Sequence, residues 1–277
     1  MSIVVTGATG NVGRPLVTLL ASAGVPVRAV TRTASTAHFP DGVQAIDSVF
    51  EALAGASAVF LNSRSLGAEL ADVVAAARDG GVRKLVALSA INADDDFSRQ
   101  PSRVRDRNKE VEQVSIDSGL QWVSLRPSVF ATNFVGMWSA QIQAGDVVGG
   151  PYAAASSAPI VEADIAAVAA RALSTDELVG QQIPLTGPQA LTNTDLVEII
   201  GTVLGRPLRY VEAPPDVVRQ RFIAIGLGAE FADAYTAMLA DAVDNPALVT
   251  REVEKITGRP ATTFARWVSD HRQMFVK

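Results

Sequence analysis

The 277-residue chain contains no cysteine. Disulfides, thiolate nucleophiles and cysteine-ligated metals are therefore excluded. Histidine is almost as scarce. His38 and His271 are the only two, far apart in sequence, so a histidine-rich metal site or a Ser-His-Asp triad has little to be built from. The apolar stretches are short and broken by Gly, Asp or Arg, and none can span a bilayer. No basic segment precedes an apolar run at the N-terminus, where Ile3-Val4-Val5 reads as a first strand rather than a targeting segment. A formal net charge of -5 lacks the basic excess that would draw the chain to nucleic acid or anionic lipid. The expectation is a soluble, cytoplasmic protein with no metal, nucleic-acid or membrane partner. Oligomeric state stays open, a homodimer included.

What is present is globular composition, with 48% hydrophobic and 19% charged residues. Strand and helix signals alternate through the first half. Apolar strand runs occur at 3–5, 25–30, 43–46, 58–61, 84–88 and 122–125, and helical patterns at 12–23, 49–54, 66–78 and 103–118. Continuous apolar strands separated by helices predict an α/β fold, a doubly wound Rossmann-type parallel sheet. Residues 128–159 read as an irregular segment rich in Gly, Ala and Ser. A helix at 163–174 and a strand at 182–185 follow, then helical patterns at 192–204, 214–225, 230–243 and 262–275. The predicted organisation is a dinucleotide-binding domain over 1–155, its sheet completed by 158–187, and a smaller, mainly helical substrate lobe over 188–277.

The clearest motif is Thr6-Gly7-Ala8-Thr9-Gly10-Asn11-Val12-Gly13, between the first strand and the first helix. Glycines 7, 10 and 13 provide a tight turn, let backbone amides approach pyrophosphate, and allow close packing of helix on strand. The free N–H groups and positive dipole end of the helix then favour phosphate. Asn11 reads as an N-cap that also reaches a phosphate. Gly7, Thr9, Gly10, Asn11, Val12 and Gly13 are thus the candidate phosphate-binding residues. A second absence selects the cofactor. An NAD site places Asp or Glu at the end of the second strand, and no acidic residue occurs between Arg14 and Pro40. Thr31-Arg32-Thr33 stands there instead, with Ser35 close behind, and a guanidinium beside hydroxyls suits a 2′-phosphate. The expected cofactor is NADP(H), with Arg32 as its 2′-phosphate ligand.

The chain resembles the NmrA-like atypical short-chain dehydrogenase/reductases. The likeness rests on TGATGNVG at 6–13, Val-Thr-Arg at 30–32, Ala-Gly-Ala-Ser-Ala-Val-Phe at 54–60, Glu112, Ser118-Gly119-Leu120 and Leu125-Arg126-Pro127. It continues through Asn133, Leu185-Thr186-Gly187-Pro188 and Thr257-Gly258-Arg259-Pro260. The group includes type-2 quinone oxidoreductases, triphenylmethane reductase, iminium-reducing enzymes and NADP-sensing regulators without turnover. The resemblance implies NADP-linked redox handling but not one reaction. Aligning Glu112 with the family's helix glutamate puts Asn108 at the lysine position and Val104 at the position of the proton-donating tyrosine. Lys109 is one residue off, a turn of about 100° on a helix, and reads either as a ribose contact or as a solvent-facing lysine. Without the tyrosine, reduction of a simple ketone is disfavoured. A quinone or iminium is already a good electron sink and requires mainly positioning.

Ligands of this fold lie at the carboxyl ends of the strands, which selects Asn62, Ser63, Ser89 and Pro127 as cofactor walls. Ser89 reads equally as a substrate hydrogen-bond donor, as the resemblance implies, or as a hydroxyl capping its own strand. Ser89, Asn108 and Lys109 are the catalytic candidates. Phe130, Phe134, Trp138 and Tyr152 are candidate walls of a pocket for a small apolar or aromatic substrate, each weighed against core packing. Asp94-Asp95-Asp96 reads as a solvated turn, Glu112 as structural, the histidines as surface residues, and Asp47 as an adenine contact or a helix cap. The leading functional expectation is an NADPH-dependent reductase of a small electron-poor acceptor. A non-enzymatic NADP(H)-sensing regulator is the alternative.

Overall fold

Short runs of β-branched and apolar residues form eleven strands among the described residues, 2–101 and 106–276, of the computed structural model. The first six are β1 (Ser2–Thr6), β2 (Val27–Val30), β3 (Val43–Ile46), β4 (Ala56–Asn62), β5 (Lys84–Leu88) and β6 (Gln121–Pro127). Then come β7 (Val147–Gly150), β8 (Ser156–Ser157), β9 (Gln182–Leu185), β10 (Leu191–Thr192) and β11 (Arg209–Glu212). Seven make one parallel sheet in the order β3-β2-β1-β4-β5-β6-β9. The fold is α/β and Rossmann-like, as the alternation of apolar strands and helices predicts.

Side chains alternate across the sheet and feed two cores. On one face Ile3, Val5 and Phe60 pack with Leu16, Val17 and Leu20 of helix Gly13–Ser22 and with Ile165, Val168 and Ala169 of helix Glu162–Ser174. On the other, Val4, Val59 and Leu61 meet Leu70, Val73 and Val74 of helix Leu70–Asp79 and Val111 of helix Asn108–Asp117. Each fully buried Leu, Val or Phe contributes about 1.5–3 kcal/mol of transfer free energy, so the central strands cannot be polar on either face. The chain runs outward from β1 through β2 to β3 and then crosses to β4. The loops leaving β1 and β4 therefore part in opposite directions, and a crevice opens between them.

The segment expected to be irregular is ordered. Residues 128–159 hold helix Asn133–Ala144, β7 and β8. Phe134, Trp138 and Ile142 recur every four residues and bury one face of that helix. That spacing was present in the sequence, but Gly136 and the surrounding small residues obscured it. β7 pairs in parallel with β11, and β8 antiparallel with β10. A third core joins this segment to the C-terminal helices through Ala131, Phe134, Trp138, Leu196, Ile200, Phe264 and Trp267. Packing thus groups much of 131–150 with these C-terminal helices. Further elements outside the expected set include helix Ser63–Leu66, β10, β11 and helix Glu252–Thr257. The start of the helix expected from Arg103, and Val104 with it, lie outside the described residues.

Lys84 opens β5 at only 4% exposure. Its ammonium donates to the carbonyls of Thr175 (2.6 Å) and Ala172 (3.3 Å) and pairs with Asp176 at 2.6 Å. It thereby satisfies the C-terminal end of helix Glu162–Ser174. Lys84→Met is expected to leave these carbonyls without their donor and cost about 2 kcal/mol. Thermal unfolding would show a drop of roughly 4–8 °C. Ligand binding should survive, because Lys84 lies at the amino end of the sheet, opposite the crevice; a binding defect matching the stability loss would contradict that placement.

Candidate functional site

The turn after β1 depends on glycine for definite geometric reasons. Gly7 has φ +64°, and a Cβ there would stand 2.9 Å from Asn62 Nδ2. A Cβ on Gly13 would stand 2.1 Å from the Gly7 carbonyl oxygen and 2.8 Å from Ala8 Cα. The first turn of helix Gly13–Ser22 is thus pressed against the loop, closer than any other residue permits. Gly10 N–H donates to Gly7 O at 2.9 Å and Arg14 N–H to Gly10 O at 3.0 Å, closing the turn. Among the described residues the N–H groups of Thr9, Asn11, Val12 and Gly13 have no acceptor within the protein. No side chain caps the helix. These unfilled donors, at the positive end of a helix dipole and in a cradle that a Cβ would fill, fit a pyrophosphate.

Asn11 is not the N-cap. That position belongs to Val12, and the Asn11 amide instead donates to Thr132 Oγ1 at 3.2 Å. The helix start falls one residue later than the sequence suggests. Thr9 and Thr31 hydroxyls lie 3.3 Å apart and tie the glycine loop to the end of β2. Arg32 follows, with an exposed side chain that makes no hydrogen bond or ion pair among the described residues. Asp47 is exposed and caps nothing; the neighbouring Ser48 hydroxyl accepts the Glu51 N–H at 3.3 Å.

Across the crevice, the Asn62 N–H donates to Thr6 Oγ1 at 2.8 Å, while the Thr6 hydroxyl donates to Phe60 O at 2.9 Å. Thr6 thereby locks the ends of β1 and β4 together, and Asn62 faces Gly7. Ser63 is buried and donates to the carbonyl of Asp106. Ser89, 3% exposed, donates to the carbonyl of Asn108 at 3.0 Å. Two hydroxyls from the ends of β4 and β5 thus hold the start of helix Asn108–Asp117. The Asn108 side chain is half-buried and has no partner among the described residues. Pro127 is buried, its carbonyl accepting the Ile91 N–H at 2.9 Å.

Lys109 is held in an ion-pair cluster. Its ammonium pairs with Asp94 and lies 3.6 Å from Glu112 Oε1. Arg126 completes the cluster, donating to Glu112 through Nε at 2.8 Å and through Nη2, and pairing with Asp94 at 2.7 Å. Ser124 Oγ and Gln182 Nε2 also donate to Glu112, at 2.5 and 2.9 Å. Burial alone would push the fully enclosed Glu112 carboxyl up. The hydrogen bonds from Arg126 and Ser124, with the charges of Arg126 and Lys109, hold it below its ordinary value. Asp94 is also lowered, chiefly by its hydrogen bond from Lys109. Of the three adjacent aspartates, Asp94 is therefore an ion-pair residue, and Asp96 caps a short 3-10 turn. Among the described residues no group of three or more His, Asp or Glu is placed to hold a metal ion.

The proposed aromatic wall needs revision. Phe134 and Trp138 are 3% and 5% exposed and pack edge and face with Phe264 and Tyr210, so they are core residues. Tyr152 sits in a left-handed turn at φ 50°, its carbonyl held by Asn193. Phe130 is half-buried against the core beneath helix Gly13–Ser22. His271 is half-buried and stacks on Trp267 at 4.7 Å rather than standing free on the surface. A different aromatic group emerges from helices Pro215–Ala224 and Ala229–Asp244. Phe222, Phe231 and Tyr235 pack together, and the Tyr235 hydroxyl contacts Met137 Sδ at 3.2 Å. Helix Ala229–Asp244 also reaches the loop after β5, through Arg99 and Asp241 at 2.8 Å. It therefore contacts both the segment that follows β5 and the helix that follows β6. Burial pushes the Tyr235 phenol up to about 12, so it stays protonated at neutral pH. Its contact across 98 residues of sequence leaves no local signal.

The NmrA-like family model matches residues 1–264. The chain belongs to the NmrA-like family. Among its relatives, (4-alkanoyl-5-oxo-2,5-dihydrofuran-3-yl)methyl phosphate reductase of Streptomyces griseus is 34% identical over 289 residues, covering 99% of each chain. The NAD(P)H azoreductase of Xenophilus azovorans is 32% identical over 286 residues, again covering 99% of each. Among solved structures, the NADPH-dependent quinone oxidoreductase of Escherichia coli, complexed with NADPH, superposes with a TM-score of 0.82 at 24% identity, over 98% of this chain and 99% of that one. That likeness shows the shared fold.

Proposed function

We propose that this NmrA-like protein is an NADPH-dependent oxidoreductase that delivers hydride to a small, electron-poor organic acceptor. The carrying observation is the set of four unfilled N–H donors in the glycine loop, opening on the crevice between β1 and β4. Full-length relatives that are named as NAD(P)H azoreductase and furanone phosphate reductase support the redox reading. In this reading the loop amides hold pyrophosphate, Arg32 and the hydroxyls of Thr31 and Thr33 receive the 2′-phosphate, and the free Asn108 amide serves the ribose. Asn62 and Pro127 wall the nicotinamide side. A reduced nicotinamide supplies the hydride when bound. The protein's own task is then to position the acceptor and exclude water. Ser89 already donates to a carbonyl and Lys109 is ion-paired, so neither stands ready to protonate an alkoxide. This favours an acceptor such as a quinone, an iminium or an azo compound over a simple ketone. Phe130, Met137 and Tyr235 are the side chains proposed to face it.

The test is NADPH and NADH oxidation against a panel of quinones, iminium ions, azo dyes, cationic dyes and simple ketones. Turnover of an activated acceptor with NADPH preferred is expected. Rapid ketone reduction would refute the proton-donor reasoning, and tight binding without any turnover would move the protein to the sensing role known in its family. Arg32→Asp should raise the NADPH KM by roughly 10–100-fold, the worth of a lost charge-assisted hydrogen bond, with the NADH KM changed only a few-fold. Equal effects on both cofactors would remove Arg32 from the 2′-phosphate site.

A further inference from the structure

Glu162 is 5% exposed, has no cation within ion-pair distance among the described residues, and takes no part in the site as built so far. It opens helix Glu162–Ser174, and its carboxyl reaches across to the start of helix Asn133–Ala144. There Glu162 Oε1 accepts the Thr132 backbone N–H at 3.0 Å and also the Thr132 hydroxyl. The Thr132 hydroxyl oxygen in turn accepts from Asn11 Nδ2 at 3.2 Å. The direction of this chain is forced. A carboxylate has no proton to give, so the threonine hydrogen must point at Glu162, and Oγ1 is left as an acceptor. Asn11 must then turn its nitrogen, not its oxygen, inward. The second hydrogen of that nitrogen and the neighbouring unfilled backbone donors remain for an anion. Two helix N-termini converge on the carboxyl and stabilise a negative charge there.

We propose that Thr132 and Glu162 are positioning residues of the phosphate loop, acting through Asn11, and that they tie occupancy of the loop to helix Asn133–Ala144. The inference rests on the glycine loop being the cofactor phosphate site. Its consequence is mechanical. The same helix carries Met137, which touches Tyr235 of the lobe. The loop that holds the cofactor and the wall offered to the acceptor are thus joined through one short helix.

Thr132→Val removes the hydroxyl and keeps the shape, whereas Thr132→Ser restores it. NADPH affinity, read from nicotinamide fluorescence, is expected to fall about five-fold in T132V, the equivalent of one hydrogen bond, and to return within about two-fold in T132S. In a double-mutant cycle with Asn11→Ala, the double variant should bind no more weakly than Asn11→Ala alone. A merely structural threonine would alter apoprotein unfolding without this pattern. Equal binding by T132V and T132S, or losses that multiply in the cycle, would overturn the inference. Should T132V not fold, Glu162→Gln lets the hydroxyl turn to either neighbour and is expected to weaken binding about two-fold; unchanged binding overturns the inference equally. Failure of the unaltered protein to bind NADPH would instead remove the cofactor reading on which it stands.

Discussion

Gly13→Ala is expected to weaken NADPH binding on the order of 100-fold, with an additional loss of stability of about 1–3 kcal/mol. A Cβ at this position would lie 2.1 Å from the Gly7 carbonyl oxygen and 2.8 Å from Ala8 Cα, both backbone atoms that no side-chain rotation can clear. Either the helix start or the turn must move. In both cases the N–H groups of Thr9, Asn11, Val12 and Gly13 no longer converge. Because anion binding at a helix terminus depends on several donors meeting at one point, the affinity loss should persist in protein that still folds. Gly10→Ala is the internal comparison. Its Cβ would meet Gly7 O at 3.2 Å, which a small shift accommodates, so the defect should be intermediate. Fluorescence titration with NADPH beside thermal unfolding of the apoprotein separates the two effects. Wild-type affinity in a folded G13A protein would mean that the loop is a structural turn and not the phosphate site.

Arg126→Leu is the second large effect, and it acts on folding. The substitution strips the buried Glu112 carboxyl of its two guanidinium hydrogen bonds, leaving Ser124, Gln182 and the more distant Lys109. Breaking a buried ion pair from one side costs about 3–5 kcal/mol, and the remaining donors place this site at the lower end. The accompanying Glu112→Leu should recover much of the loss, since the unpaired carboxyl is the source of the penalty. The pH dependence carries a definite sign. In the wild type Glu112 titrates below its ordinary value, so its contribution is complete above the unfolded value, about 4.3, and fades as pH falls through the lower folded value. In R126L the dominant remaining influence is burial, which raises the folded value. The folded variant then binds a proton at Glu112 more readily than the folded wild type does. The deficit relative to wild type should therefore shrink between pH 7 and pH 4. Denaturant unfolding across that range would show it, and a deficit that grows towards acid would contradict the assignment of Glu112 as the buried charge.

Much of this was legible along the chain. The runs at 43–46, 84–88 and 182–185 coincide with β3, β5 and β9, because each is a short apolar-rich run that is set off from the helices around it, although only β5 is largely buried. The glycine spacing at 7, 10 and 13 marks the turn, and the end of β2 leads into Arg32 where an acid would favour NAD. Local patterning was misleading where burial was partial or the sequence small-residue rich. Helix Asn133–Ala144 was hidden by Gly136 and its alanines, although Phe134, Trp138 and Ile142 keep the four-residue spacing. The same two aromatics looked like pocket residues until their packing against Phe264 and Tyr210 placed them in a core. An aromatic side chain suits a ligand wall and a core equally, and only its neighbours distinguish the two.

The sequence by itself determined the α/β alternation, the glycine turn and the absence of cysteine, because each depends on backbone conformation or composition within a few residues. Only the tertiary structure decided the rest. It assigned Lys109 to Asp94 and Glu112, brought Tyr235 to Met137, and linked Asn11 through Thr132 to Glu162. These contacts join residues up to 121 positions apart. Their partners are selected by which strand ends and helix termini the parallel sheet brings together, and hydrogen-bond direction then fixes how each side chain must turn.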